Sequence, residues 1–263
     1  MNRALRFYIL LPLLMLCQRP FAAEFDAEPS EGLYDAPASK SSASTDKETS
    51  VSEVPVALRA GRVPTAFTLP RHSLHGDLDF YGGGGILTKA ELGIFPRFFI
   101  GAALNVPGLI GSGAVKLVKE DAQLLARLMV FKGNESFPSV AIGWDGPAYS
   151  GGEARGLYAV ASRGFKTPLG FSYLHAGLNT PVLETFVFDR DMRGFAAATL
   201  DINQSTLFFE ADEFNHASGP TLATGFRFFM DPISLGLEFR DLAGNRNAAQ
   251  VSRLLTVAYD GSF

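Results

Sequence analysis

Residues 250–263 read QVSRLLTVAYDGSF. Counted by twos, Val251, Arg253, Leu255, Val257, Tyr259, Gly261 and Phe263 fall on one side of an extended chain, and Ser252, Leu254, Thr256, Ala258, Asp260 and Ser262 on the other. One set is mostly apolar and the other mostly small or polar, the period-two pattern of a strand that separates two environments. The last strand of a soluble sandwich has that pattern too, so the segments before it must decide.

They repeat it. Ile233, Leu235, Leu237 and Phe239 alternate with Ser234, Gly236, Glu238 and Arg240, and Leu222, Thr224, Phe226, Phe228 and Met230 alternate with Ala223, Gly225 and Arg227. Leu207, Phe209 and Ala211 oppose Phe208, Glu210 and Asp212, while Ala196, Ala198, Leu200 and Ile202 form a further one-sided set. The segment 169–178 is less regular, because Leu169, Phe171 and Tyr173 share a face with His175. Earlier still, Tyr158 and Val160 oppose Ala159 and Ala161, with Tyr158 and Val160 read as the apolar side. Val140, Ile142 and Trp144 oppose Ser139, Ala141, Gly143 and Asp145, and Leu124, Ala126, Leu128 and Val130 oppose Gln123 and Arg127. Three segments within 74–106 complete the series, each with one apolar face.

Connection lengths sort the same way. Tight turns fall at Phe95, Pro96 and Arg97; at Gly133, Asn134 and Glu135; at Lys166, Thr167 and Pro168; at Asn203 and Gln204; and at Asp231 and Pro232. Between them come longer runs at 107–121, 146–155, 179–193, 215–220 and 243–249, and only the first hairpin, at 82–85, has a short connection where a long one is expected. Short turns at one end and long loops at the other are the habit of outer-membrane barrels, and a sandwich has no reason for it. The pattern predicts an all-β fold: a transmembrane, antiparallel, up-and-down β-barrel of about twelve strands, with ten or fourteen as the alternatives.

The region before the barrel differs. Residues 1–23 read as a signal peptide, with Arg3 and Arg6, an apolar run from Phe7 to Cys17, and small residues at Ala22 and Ala23. Residues 24–66 are rich in Ser, Pro, Ala and charge and read as a disordered periplasmic arm, although the piece 54–70, with Val56, Leu58, Val63, Phe67 and Leu69, is apolar enough to lie on the barrel's periplasmic rim or enter the lumen, a plain linker being the alternative. The barrel is then 67–263. The sole Cys17 would leave with the signal, which excludes disulfides and thiol chemistry. A net charge of -4 over 263 residues gives no reason to expect a nucleic-acid partner.

In a membrane barrel the uncharged face meets lipid and the other face meets the lumen. The inward set is then Asp77, Asp79, Lys89, Glu91, Arg127, Asp201, Glu210, Asp212, Arg227, Glu238 and Arg240. Both signs are present, so the set reads as a mainly structural ion-pair network across a narrow lumen, or else as the lining of a thin polar passage. Catalysis has no comparable signal. Gly82 to Gly85 precedes no Gly-Lys-Ser/Thr, and the four histidines have no metal-site spacing, so no catalytic, cofactor or metal residue is expected. His75 with Ser73 and Asp77 invites comparison with barrel-rim hydrolases, yet it reads better as a hydrogen-bonded wall histidine.

A closing strand that ends on an aromatic residue resembles the last strand of bacterial outer-membrane barrels, in which the assembly machinery reads that terminus. On that resemblance Tyr259 and Phe263 form the insertion signal. FPSVAIGWDG at 137–146, YAVASRGF at 158–165 and LGLEFRDLAGNR at 235–246 look like a group of poorly characterised outer-membrane barrels and are similar to the YjbH-like barrels linked with exopolysaccharide production. The resemblance spans 66–263 and implies a location in the Gram-negative outer membrane, with both termini periplasmic. It also implies lipid and the barrel-assembly machinery as partners, with surface polysaccharide as a further one. The expected role is structural or polysaccharide-related and not enzymatic; a narrow channel for small polar solutes is the alternative, and an outer-membrane hydrolase stands last.

Overall fold

The computed structural model of the chain describes residues 58–111, 122–134, 136–146, 154–184, 187–188, 192–215, 219–244 and 253–263. Two short strands come first, β1 (Arg59–Ala60) and β2 (Val63–Pro64). Then follow β3 (Ser73–Tyr81), β4 (Gly85–Phe95), β5 (Phe98–Val106), β6 (Ala122–Phe131), β7 (Ser139–Asp145), β8 (Ala154–Thr167) and β9 (Gly170–Glu184). The two-residue β10 (Val187–Phe188) folds back on β9, and β11 (Arg193–Ile202), β12 (Ser205–Asp212), β13 (Thr221–Met230), β14 (Ile233–Arg240) and β15 (Arg253–Ser262) complete the series.

Each long strand pairs antiparallel with its neighbours along the chain, and β15 pairs back onto β3 from Leu254 opposite Tyr81 to Ser262 opposite Ser73. The ring is thus a closed barrel of 12 strands. Closure leaves no unpaired edge, so every strand's backbone groups find partners on both sides. Among the described residues no helix is long and apolar enough to cross a membrane. The chain enters β3 and leaves β15 at the end of the barrel where the short turns lie. One of those turns is the two-residue pair Asn203 and Gln204, where Asn203 takes the left-handed conformation (φ 51°) that Asn tolerates and a tight hairpin requires.

The faces follow the alternation. Along β14, the outward Ile233, Leu235, Leu237 and Phe239 are exposed while Ser234, Gly236, Glu238 and Arg240 are buried. The same holds along β3, where His75, Asp77, Asp79 and Tyr81 are buried and Leu74 and Leu78 exposed. So the polar residues form the interior and the apolar ones the surface, the inverse of a water-soluble sandwich. On the outside, towards the short-turn end, Phe95, Phe131, Tyr259 and Phe263 stand exposed, and Phe137 is exposed in the turn after β6.

Two readings need correction. Residues 58–66, taken as part of a disordered arm, are folded: β1 and β2 form a separate hairpin with Arg59 opposite Pro64 and Ala60 opposite Val63. Gly61 and Arg62 make its turn, Gly61 supplying the positive φ of 58°. The hairpin sits inside the ring, where Ala60, Val63 and Ala66 pack with Ala141, Tyr158, Val160, Phe195, Ala197 and Phe208. The rest of the arm, 24–57, and the signal segment lie outside the described residues.

The second correction follows from the first. Tyr158 and Val160 point inward and are buried, and Leu157 and Ala159 take the outer surface of β8. An apolar inward face is favourable there because the hairpin covers it; burial of a Val or Leu side chain contributes about 1.5–3 kcal/mol. The same cause explains the irregular segment on β9. Tyr173 and His175 face inward, Phe67 stacks edge-on against both at 5.4 and 6.0 Å, and Leu174 and Leu178 form the outer face.

Candidate functional site: the filled lumen

The interior has two unlike walls. On β15, β3 and β4 the register sets His75 opposite Asp260 and Glu91, Asp77 opposite Lys89, and Asp79 opposite Thr256. Directly opposed side chains on one face lie within reach of each other, so the alternation alone builds a polar network. His75 meets Asp260 through Nδ1 at 2.6 Å and Asp77 through Nε2 at 3.2 Å. Lys89 Nζ donates to Asp79 at 2.7 Å and lies 3.9 Å from Asp77, and Thr256 Oγ1 donates to the other Asp79 oxygen at 2.7 Å.

Into this wall reaches Arg59 from the hairpin. Its guanidinium donates to Glu91 and lies 3.7 Å from Asp77. Burial by itself would lower the Arg59 pKa, but Glu91, Asp145 and Asp77 outweigh it and hold the pKa well above its ordinary value. Glu91 is fully buried, so Arg59 is the countercharge that makes a carboxylate tolerable at that depth.

The opposite wall grips the hairpin's backbone. One oxygen of Glu210 accepts the N–H of Arg62 at 2.8 Å and that of Val63 at 3.0 Å. Arg155 forms a forked pair with Asp212 at 2.7 and 3.1 Å, donates to the Arg62 carbonyl at 3.2 Å and lies over the Phe195 ring. Arg127 donates to the carbonyls of Leu58 at 2.9 Å and Phe67 at 2.8 Å, and to the Tyr158 hydroxyl at 2.7 Å. It also faces the Phe99 ring at 5.0 Å, so a single guanidinium ties both flanks of the hairpin to the wall. Finally the Ala66 N–H donates to Ser162 Oγ at 2.7 Å, and that hydroxyl lies 2.8 Å from His175 Nδ1.

The residues expected in the lumen separate into groups. Asp77, Asp79, Lys89 and Glu91 gather around Arg59, while Arg127, Glu210 and Asp212 hold the other side. Glu238 and Arg240, two apart on β14, approach to 2.9 Å as an ion pair, though not along a hydrogen-bonding direction. Arg227, half-buried, borders a small polar cleft beside Gly61, shared with Lys89, Glu238 and Thr256. Asp201 lies apart at the short-turn end, bonded to Thr206 at 2.5 Å. Of the residues read as an insertion signal, Tyr259 is on the outer face opposite Gly76, and Phe263 donates its N–H to the His72 carbonyl at 2.9 Å.

Sequence reading missed Arg59 and Arg155, and the Ser162 and His175 pair. The available signal for Arg59 was Ala60-Gly61-Arg62-Val63, a glycine-led two-residue turn between apolar residues. His75 and His175 are both buried in the barrel wall. Ser73 donates to the Pro70 carbonyl at 2.6 Å, and Ser162 is buried beneath the hairpin with Ala66 on it. Among the described residues no group of three or more His, Cys, Asp or Glu side chains is placed to hold a metal ion. No protein-family model matches the chain, and a search of the curated proteins finds no match either.

Proposed function

We propose that the protein is an outer-membrane β-barrel of the Gram-negative envelope, similar to the YjbH-like barrels, with a structural or surface-polysaccharide-related role and no catalytic one. The observation that carries the reading is the inverted barrel, apolar outside and charged inside, with the 58–66 hairpin filling it. A ring with this outer surface is stable where lipid covers it, because water would meet a continuous apolar belt. The aromatic residues near the short turns suit the headgroup level of a bilayer. In that orientation the short turns and both chain ends are periplasmic and the long loops face outward, where a polysaccharide would be met.

The test is direct. The full chain should fold into lipid vesicles, run at a different apparent size on a gel before and after boiling, and give no steady unitary current in a planar bilayer. Identical migration of boiled and unboiled samples, with the protein in the aqueous fraction, would refute the membrane reading. The second reading, a narrow channel for small polar solutes, is favoured by the polar cleft beside Gly61, and steady currents from the full chain would establish it.

A further inference from the structure

We propose that the 58–66 hairpin is a removable stopper and that the passage it fills conducts small cations, an inference that rests on the membrane-barrel reading above. The wall does not depend on the hairpin for closure: the ring is complete from β3 to β15, and β1 and β2 form a sheet of their own. The polar contacts described between hairpin and wall run through wall side chains, with Glu210 and Ser162 accepting its N–H groups and Arg127 and Arg155 donating to its carbonyls. Water can take the place of these if the hairpin leaves, at the cost of wetting the apolar patch around Tyr158, Val160 and Phe195, whereas no water replaces a strand in the ring. A two-stranded ribbon with strands about 4.8 Å apart is wide enough that its departure leaves room for hydrated small ions.

Charge sets which ions. With the hairpin in place, Arg59 answers Glu91 and Asp77, and Glu210 is capped by two N–H groups. Its exit removes Arg59 and uncovers Glu91 and Glu210 together with one cation, Arg127, while Asp77 keeps His75 and Lys89, Lys89 stays with Asp79 and Arg155 with Asp212. The uncovered groups carry a surplus of carboxylate at mid-height, and carboxylates lining a lumen favour cations. A small polar cleft borders the hairpin's turn at Gly61.

Single-channel recording in a potassium chloride gradient tests this with three proteins: the full chain, a deletion of 58–66, and a full-length Arg59→Ala, Glu210→Ala variant in which the hairpin is present but released. The full chain should be silent. The deletion should give steady currents whose reversal potential is displaced toward that of potassium, and the double variant intermittent ones of the same sign. Adding Glu91→Gln and Asp77→Asn to the deletion should move the reversal potential back toward zero. A deletion protein that keeps its heat-modifiable migration yet stays silent overturns the stopper. Currents that favour chloride overturn the charge argument. Failure of both altered proteins to fold would make the hairpin a fixed part of the wall and overturn the proposal as well. Failure of the membrane reading is separate, because it would appear in the unaltered chain, which then would not insert.

Discussion

Glu210→Ala is the most informative single substitution for how the hairpin is held. One carboxylate oxygen accepts two backbone N–H groups, from Arg62 and Val63, and the residue is 1% exposed. A buried donor left without its acceptor costs about 1–3 kcal/mol, so orphaning both N–H groups should cost about 3 kcal/mol in all. Glu210→Gln keeps a carbonyl oxygen in place and should cost about 1 kcal/mol. Urea unfolding from lipid vesicles measures both. The fluorescence of Trp144, the one tryptophan, on the strand between β6 and β8, reports on it, and the unboiled gel band gives a second readout. If Glu210→Ala unfolds with the unaltered protein, or Gln costs as much as Ala, the hairpin is not held in the way described.

Arg127→Lys keeps the charge but has one nitrogen where Arg127 uses two, Nη1 for the Leu58 and Phe67 carbonyls and Nε for the Tyr158 hydroxyl, and should lower the urea midpoint with a cost of about 1–3 kcal/mol. Gly61→Val places a Cβ 2.7 Å from Glu210 Oε2 and 2.8 Å from Phe208 in a left-handed conformation, and should cost at least about 1–2 kcal/mol in the same assay. Leu78→Arg, near the middle of the outer face of β3, should destabilise the protein by about 2–4 kcal/mol in vesicles if that face meets lipid, and by far less if it meets water.

The strands and turns were legible because each depends on local chemistry. Ile233 to Arg240 alternates without interruption, and Asn203 with Gln204 marks a two-residue turn, so neither needed tertiary information. The inward charges were legible for the same reason: Asp77 and Lys89 had only to be on the right parity, and the register did the rest. What could not be read is what depends on the hairpin. Tyr158 and Val160 look like a lipid face until something apolar is known to lie inside the barrel. Glu91 looks like one charge among several until Arg59 is seen to reach it from 32 positions earlier in the chain. A segment read as an arm carries the contacts that organise the interior.

The seam between β3 and β15 has a consequence in time. Ser73 and Ser262 are partners, so the first and last long strands, β3 and β15, each gain a second neighbour only when they meet. Such a contact spans nearly the whole barrel sequence, and the entropy of closing so long a loop is met before the ladder rewards it. Until then the sheet is an open ribbon with two sticky margins, and the hairpin, only a few residues ahead of Ser73, is tethered beside one of them. Assembly is therefore decided at a single line down the barrel, and substitutions there should alter how fast the protein matures more than how firmly it endures.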